Sequence, residues 1–212
     1  MNEVTFGTYK SYTDFHLIRT AKSIGSPSIK KYTVKIEGAD GVLDYTEYFG
    51  DVNYDNVKLT FDFETIIPQS QFLTLFSAIK NALHGRKMNI SLDDDAGYYY
   101  VGRVEVSDFT NDKNIGKIKI TCDCEPYKYK NEITTVSQAV SGSANIVLNN
   151  SRKRVVPQIT TDASFTFAFG GFTTQQSAGT FTIPEFELVE GENTVTVTGT
   201  GNVTFKYREG EL

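Results

Sequence analysis

Tryptophan is absent from this 212-residue sequence, cysteine and histidine occur twice each, and proline occurs five times. No run approaches the ~18 apolar residues of a membrane-spanning helix, so membrane insertion is not expected. Two cysteines cannot form the disulfide framework of a small secreted fold. With only His16 and His84, most nucleophile–histidine machinery would have to pass through one of two imidazoles. The start, Met1-Asn2-Glu3-Val4, has no basic segment followed by an apolar stretch, so a Sec-type signal is not expected and cytoplasmic synthesis is. Charge of one sign is also scarce: 21 basic against 26 acidic side chains leave a net −5. That balance argues against strong nucleic-acid binding, which needs Lys and Arg to displace phosphate counterions. It is compatible with a surface past which DNA slides without sticking.

Apolar residues make up 39%, and 17 glycines bring the composition into the ordinary globular range. The length corresponds to between one and two domains and to roughly 70% burial of the unfolded surface, so no metal is needed to fold. Period-two alternation dominates the pattern. Tyr32, Val34 and Ile36 alternate with polar residues, as do Leu59, Phe61 and Phe63. Strands are also predicted at 88–92, 98–101, 104–106 and 118–124, with Asp93–Gly97 as a hairpin loop because Asp and Gly tolerate turn backbone angles. One segment differs. From 70 to 84, Phe72, Leu75, Phe76, Ile79 and Leu83 recur at helical spacing, with Ser70 as the expected N-cap and Gly85 as the left-handed residue at the end.

The small, polar stretch Thr134–Ser143 reads as a connection between two domains, 1–131 and 132–212. Beyond it, Phe165–Phe169, Phe181–Ile183, Phe186–Leu188, Val195–Thr198 and Val203–Tyr207 read as short strands. Turns are expected at Glu190–Asn193 and Gly199–Asn202, giving a small antiparallel sandwich.

Few residues stand out as candidates for chemistry. Cys122 and Cys124 share one strand face with Ile118 and Ile120 and are expected in a core. His84 ends the helix, where positive charge is favoured by the macrodipole, and His16 stands alone. Asp93, Asp94 and Asp95 fit no calcium loop and read as a solvated turn. Of Tyr98, Tyr99 and Tyr100, consecutive in a strand, at least one should be core. Arg152-Lys153-Arg154 is too short for a nucleic-acid patch. No glycine-rich phosphate loop, nucleophile elbow or His-Glu-x-x-His is present, so catalytic residues, cofactor and metal are all expected to be none. The residues alone point to a non-enzymatic, mostly-β, two-domain protein. A free-standing lectin-like β-sandwich and a hydrolase with a carboxylate pair are its rivals.

Several stretches in one order resemble the distal tail proteins of long-tailed, non-contractile phages (siphophages) and related prophages of Gram-positive bacteria. Ile36–Glu47 is similar to the family's Gly-x-x-Gly-x-x-Asp-x-Thr-Glu segment, and a Tyr54–Phe63 strand follows it. Asn81–Lys87 resembles the family's helix end, and Ile90–Asp95 with Tyr100–Val104 its hairpin. Glu125-Pro126-Tyr127-Lys128-Tyr129 resembles the close of its first domain. Leu188–Asn193 and Phe205–Leu212 resemble its ending. Val57 departs from an expected Arg, and Phe72 and Phe76 replace a Trp. The resemblance implies a β-sandwich-like, ring-forming, tail-tube-like first domain and a galectin-like second one. It implies a homo-hexamer at the virion tail tip, assembled in the host cytoplasm and passing DNA as cargo. The ring would join the tail-tube protein to a tail-associated lysin or fibre hub, with receptor-binding or baseplate proteins docking outside. The Gly-, Tyr- and acid-rich segment 38–54 is expected to be an inter-subunit arm carried by Asp44, Tyr45, Glu47, Tyr48, Phe49 and Tyr54.

Overall fold

The computed structural model describes residues 3–48 and 50–212, and the chain divides into two compact units, Met1–Lys128 and Tyr129–Leu212. The protein is mostly β, with antiparallel sheets, as its alternating pattern requires.

The first unit comprises β1 (Val4–Phe6), β2 (Tyr9–Lys10), α1 (Ser11–Phe15), β3 (Ile18–Ile24), β4 (Thr33–Val34), β5 (Leu43–Asp44), β6 (Val57–Ile66), α2 (Phe72–Leu83), β7 (Lys87–Leu92), β8 (Tyr98–Asp112) and β9 (Ile115–Cys124). Seven strands of this unit run side by side in the order β2-β1-β7-β8-β9-β6-β3, while β4 and β5 pair separately. Alternate residues of β6, β8 and β9 turn inward. Leu59, Phe61, Phe63, Val104, Ile118, Ile120 and Cys122 meet Ile79 and Leu83 of α2 in one buried core. Gly116 of β9 is required there, because a Cβ would lie 2.9 Å from the Phe72 ring.

The expected helix 70–84 is trimmed to the span of its apolar periodicity, Phe72–Leu83. A 3₁₀ turn, Gln69–Gln71, follows Pro68, and Ser70 lies inside it and does not cap α2. The residue before the helix is Gln71, which makes no side-chain cap bond. His84 is already extended, and Gly85 (φ +78°) takes the left-handed position as expected. The predicted strand at Tyr32–Ile36 shrinks to Thr33–Val34, because its neighbours are exposed and lack a buried face to set them.

The short β10 (Lys128–Lys130) lies at the boundary of the two units. There follow β11 (Thr134–Asn150), β12 (Gln158–Thr161), β13 (Phe165–Phe169), β14 (Phe172–Gln176), β15 (Gly179–Thr182), β16 (Gly191–Tyr207) and β17 (Gly210–Glu211). The order is β14-β13-β16-β12-β15, with β11 along the remaining edge of β16. The stretch expected to connect domains, Thr134–Ser143, is the first half of a seventeen-residue strand. Both expected turns, Glu190–Asn193 and Gly199–Asn202, fall largely or wholly within β16, and Phe186–Leu188 lies in a loop. The physical reason is a corner. One half of β16 pairs with β13 and the other with β12, and Gly199 and Gly201 stand between. Asp162 accepts hydrogen bonds from the Asn202 backbone N–H (2.6 Å) and side-chain amide (2.7 Å), pinning β12–β13 against the same point. Phe165, Phe167, Phe186, Phe205, Val197 and Leu148 fill the core that the folded sheet encloses.

Candidate functional site

The segment between β3 and β6 leaves the body of the first unit as an arm. Its base is closed by backbone hydrogen bonds, Gly25 N–H to Lys58 O (3.0 Å), Asp55 N–H to Ser28 O (2.8 Å) and Lys30 N–H to Asn53 O (2.9 Å). The Tyr54 ring stands edge-on to Tyr127 at 5.9 Å. Farther out, β4 and β5 make two residue pairs, Thr33↔Asp44 and Val34↔Leu43. The Asp44 carboxylate accepts the Thr46 N–H at 2.9 Å, and the hydroxyl and backbone of Thr46 hold its pKa below the ordinary carboxylate value. Tyr45 N–H donates to Tyr32 O (2.7 Å), and Tyr48 N–H returns to Tyr45 O (3.0 Å). This turn sets the two tyrosine rings edge to face at 5.7 Å.

The structure thus places Asp44, Tyr45, Glu47 and Tyr48 along the middle of the arm, between its outer turn and its base, and puts Tyr54 at the base. Phe49 lies outside the described residues. Tyr32, Val34, Tyr45 and Tyr48 border an open apolar hollow of about 370 Å³. Tyr48 is 72% exposed, and Ile29, Tyr32, Val34, Ile36, Val42 and Leu43 are exposed with it. Val34 and Ile36 were missed as site residues because their alternation with polar neighbours reads as a half-buried strand. The burial it implies is not supplied by this chain. A two-stranded hairpin is marginal in water, so its exposed apolar residues make the arm a candidate contact surface.

Elsewhere the candidates are engaged in structure. Cys122 and Cys124 are buried, free thiols in the core, as the alternation predicted. Burial raises both pKa values, that of Cys124 to about 12. His84 accepts the Val106 N–H on Nδ1 at 3.1 Å, so its imidazole holds the backbone of β8. It borders a polar hollow of about 500 Å³ with Lys58, Arg103, Glu105 and Asp123, where Arg103 donates to Gly85 O at 2.6 Å.

The three aspartates lie in the turn between β7 and β8, with Asp93 and Asp94 exposed as expected, and ion pairs add to it. Asp94 meets Arg19 (3.1 Å) and Lys22 (2.5 Å), and Asp95 meets Lys128 (3.1 Å). The Lys22 hydrogen bond first, and the Arg19 charge after it, hold Asp94 below its usual value. Tyr100 is the core member of its triplet, while Lys128 lies over the Tyr98 ring at 4.3 Å. Arg152 and Arg154 pair with Glu190 (2.6 Å) and Glu187 (3.1 Å), which leaves little free positive charge there.

No protein-family profile and no curated protein sequence matches the chain. Among solved structures it is similar to the crystal structure of SPP1 Dit (gp 19.1), described as a paradigm of the hub adsorption apparatus in phages infecting Gram-positive bacteria. The likeness covers 100% of both chains with a TM-score of 0.72 at 15% identity. At that identity the likeness establishes the fold, and the fold is that of a phage hub protein over the whole length.

Proposed function

We propose that this chain is a structural, non-catalytic component of a phage tail tip that closes as a six-membered ring. The observation that carries the reading is the full-length likeness to the SPP1 hub protein, both units included. A ring is a heterologous contact closed by rotation, so each copy must offer two different surfaces. The arm is the first surface, with Tyr45 and Tyr48 as anchors and Asp44 and Glu47 beside them, and a neighbouring copy is the second. Residues 1–131 form the ring and 132–212 the outward docking domain. The partners are the tail-tube protein, a tail-associated lysin or fibre hub, and receptor-binding or baseplate proteins.

The outer face of the main sheet suits a DNA passage. Lys119 and Lys117 stand 3.6 Å from Asp62 and Glu64, and Lys58 and Arg103 flank Asp123 in register. Paired charges of both signs give phosphates little to bind.

Light scattering on the full chain tests the assembly. Wild type is expected to yield a species of about six times 23.6 kDa. Tyr48→Asp, a change at an exposed position, should stay folded and lose the six-fold species. Leu83→Asp places a charge in the fully buried core and should cost more than ~4 kcal/mol, unfolding the first unit. A Tyr48→Asp protein that assembles like wild type contradicts the role of the arm.

A further inference from the structure

Seventeen residues of β11 form a strand edge that the second unit leaves open. Among the described residues, β11 pairs only with β16, continuously from Thr134↔Tyr207 to Asn150↔Gly191. Its other edge is a row of N–H and C=O groups about 55 Å long. Every other terminal strand here is blunted. In the first unit β2 has two residues and ends in Lys10, and β3 carries Lys22 and a bulge between Arg19 and Ala21. In the second unit β14 and β15 have five and four residues. β11 has no such protection. Between Thr134 and Asn150 there is no Lys, Arg, Asp, Glu or Pro, and the outward-facing alternate positions from Thr135 to Asn149 are all exposed.

The sheet also stops without a boundary of its own. A row of hydroxyls, Thr180, Thr160, Thr204 and Ser137, crosses β15, β12, β16 and β11 in register. The Thr160–Thr180 and Ser137–Thr204 oxygens lie 3.0 and 2.9 Å apart. On the inner face, Val136 is only half-buried and Gln138 is exposed, so the core thins out along this limb of the strand.

We propose that this edge pairs antiparallel with the same edge of a second copy, about a two-fold axis at Gly142. In that register Ser141 faces Ser143, Val140 faces Ala144 and Val136 faces Leu148 of the other copy. Hydroxyl then meets hydroxyl at the centre and aliphatic meets aliphatic at Val140 and Val136, while Gln138 faces Ile146 and Ser137 faces Val147. Self-pairing normally risks like charges in opposition, and a charge-free strand removes that risk in every register. The centre, Val140-Ser141-Gly142-Ser143-Ala144, has small side chains, and nothing lies within 4 Å of where a Cβ on Gly142 would stand. Gly142 (φ +90°) is also an irregular point in the strand. A two-fold axis normal to the sheet there maps one copy's bend onto the other's, so the pairing runs through it. The contact is isologous and independent of both the arm and the tail-tip reading.

Two single-cysteine variants of the full chain, Ser141→Cys and Ser143→Cys, test it. The native thiols are buried and stay silent under mild oxidation. A mixture of the two variants should give a reducible covalent dimer at least tenfold above either variant alone, because 141 faces 143 and neither faces itself. Adding Ala139→Lys and Asn145→Lys to both chains sets lysines opposite each other and should return the yield to background. Adding Tyr48→Asp should not change it. Equal yields from single variants and mixture overturn the proposal. Monomer throughout also overturns it and leaves the edge to a strand of a different protein.

Discussion

His84 occupies the place of a missing strand residue. β7 stops pairing with β8 at Lys87↔Arg103, Arg86 O still takes the Val104 N–H at 2.9 Å, and the imidazole takes the next one, from Val106. His84→Leu should therefore destabilise the first unit by about 1–2 kcal/mol, the cost of a backbone donor losing its acceptor. His84→Asn, whose amide oxygen can replace Nδ1, should restore most of it in urea denaturation. Glu209 ties together three distant points of the second unit. Burial opposes its ionisation, yet hydrogen bonds from Ser151 (2.6 Å), Thr134 (2.7 Å) and Lys130 (2.9 Å) outweigh that and lower its pKa. A lowered carboxylate pKa contributes stability that is complete above the unfolded value and is lost as pH falls through the folded one. Melting temperature should thus drop between pH 6 and pH 3 by more in wild type than in Glu209→Gln. An equal drop would remove Glu209 from that role. The buried cysteines were legible from alternation alone, since two residues apart on a strand means one face. The partners of His84 and of the Asp93–Asp95 turn were not, because Val106, Arg19 and Lys22 are brought to them only by folding.

Among the elements, the apolar stripe of α2 and the alternations of β6 and β9 were read correctly because each buries one face against a single core. The second unit misled for an equally physical reason. Thr134–Ser143 has the composition of a linker, and its strand conformation comes from pairing with residues about sixty positions away. Glycines at 199 and 201 look like a turn, yet they let β16 turn a corner without ending. A Cβ at Gly199 would stand 2.5 Å from the Phe165 ring, and one at Gly201 would overlap the Asp162 carboxylate. Gly199→Val should therefore cost about 2–3 kcal/mol or more through overpacking at the corner. Thermal unfolding followed by circular dichroism should register it as a lower melting temperature. A wild-type melting temperature would mean that the corner does not need glycine.

For the molecule as a whole, the order of short motifs resembled the distal tail proteins although no single motif was distinctive, and the fold agrees with that resemblance along the full chain. In the segment that the sequence singles out as an arm, the Tyr45 and Tyr48 rings meet and little of the apolar area is packed. What could not be read was which aliphatic residues join them, because an alternating segment predicts burial without saying which chain provides it. The central claim is that geometry is the function: copies of this chain enclose an axial channel. Electron microscopy of the concentrated full-length protein measures that directly. Six-fold rings with an open centre, lost in Tyr48→Asp, are the predicted class averages. Single-chain particles at every concentration, or rings that Tyr48→Asp leaves intact, would contradict the account.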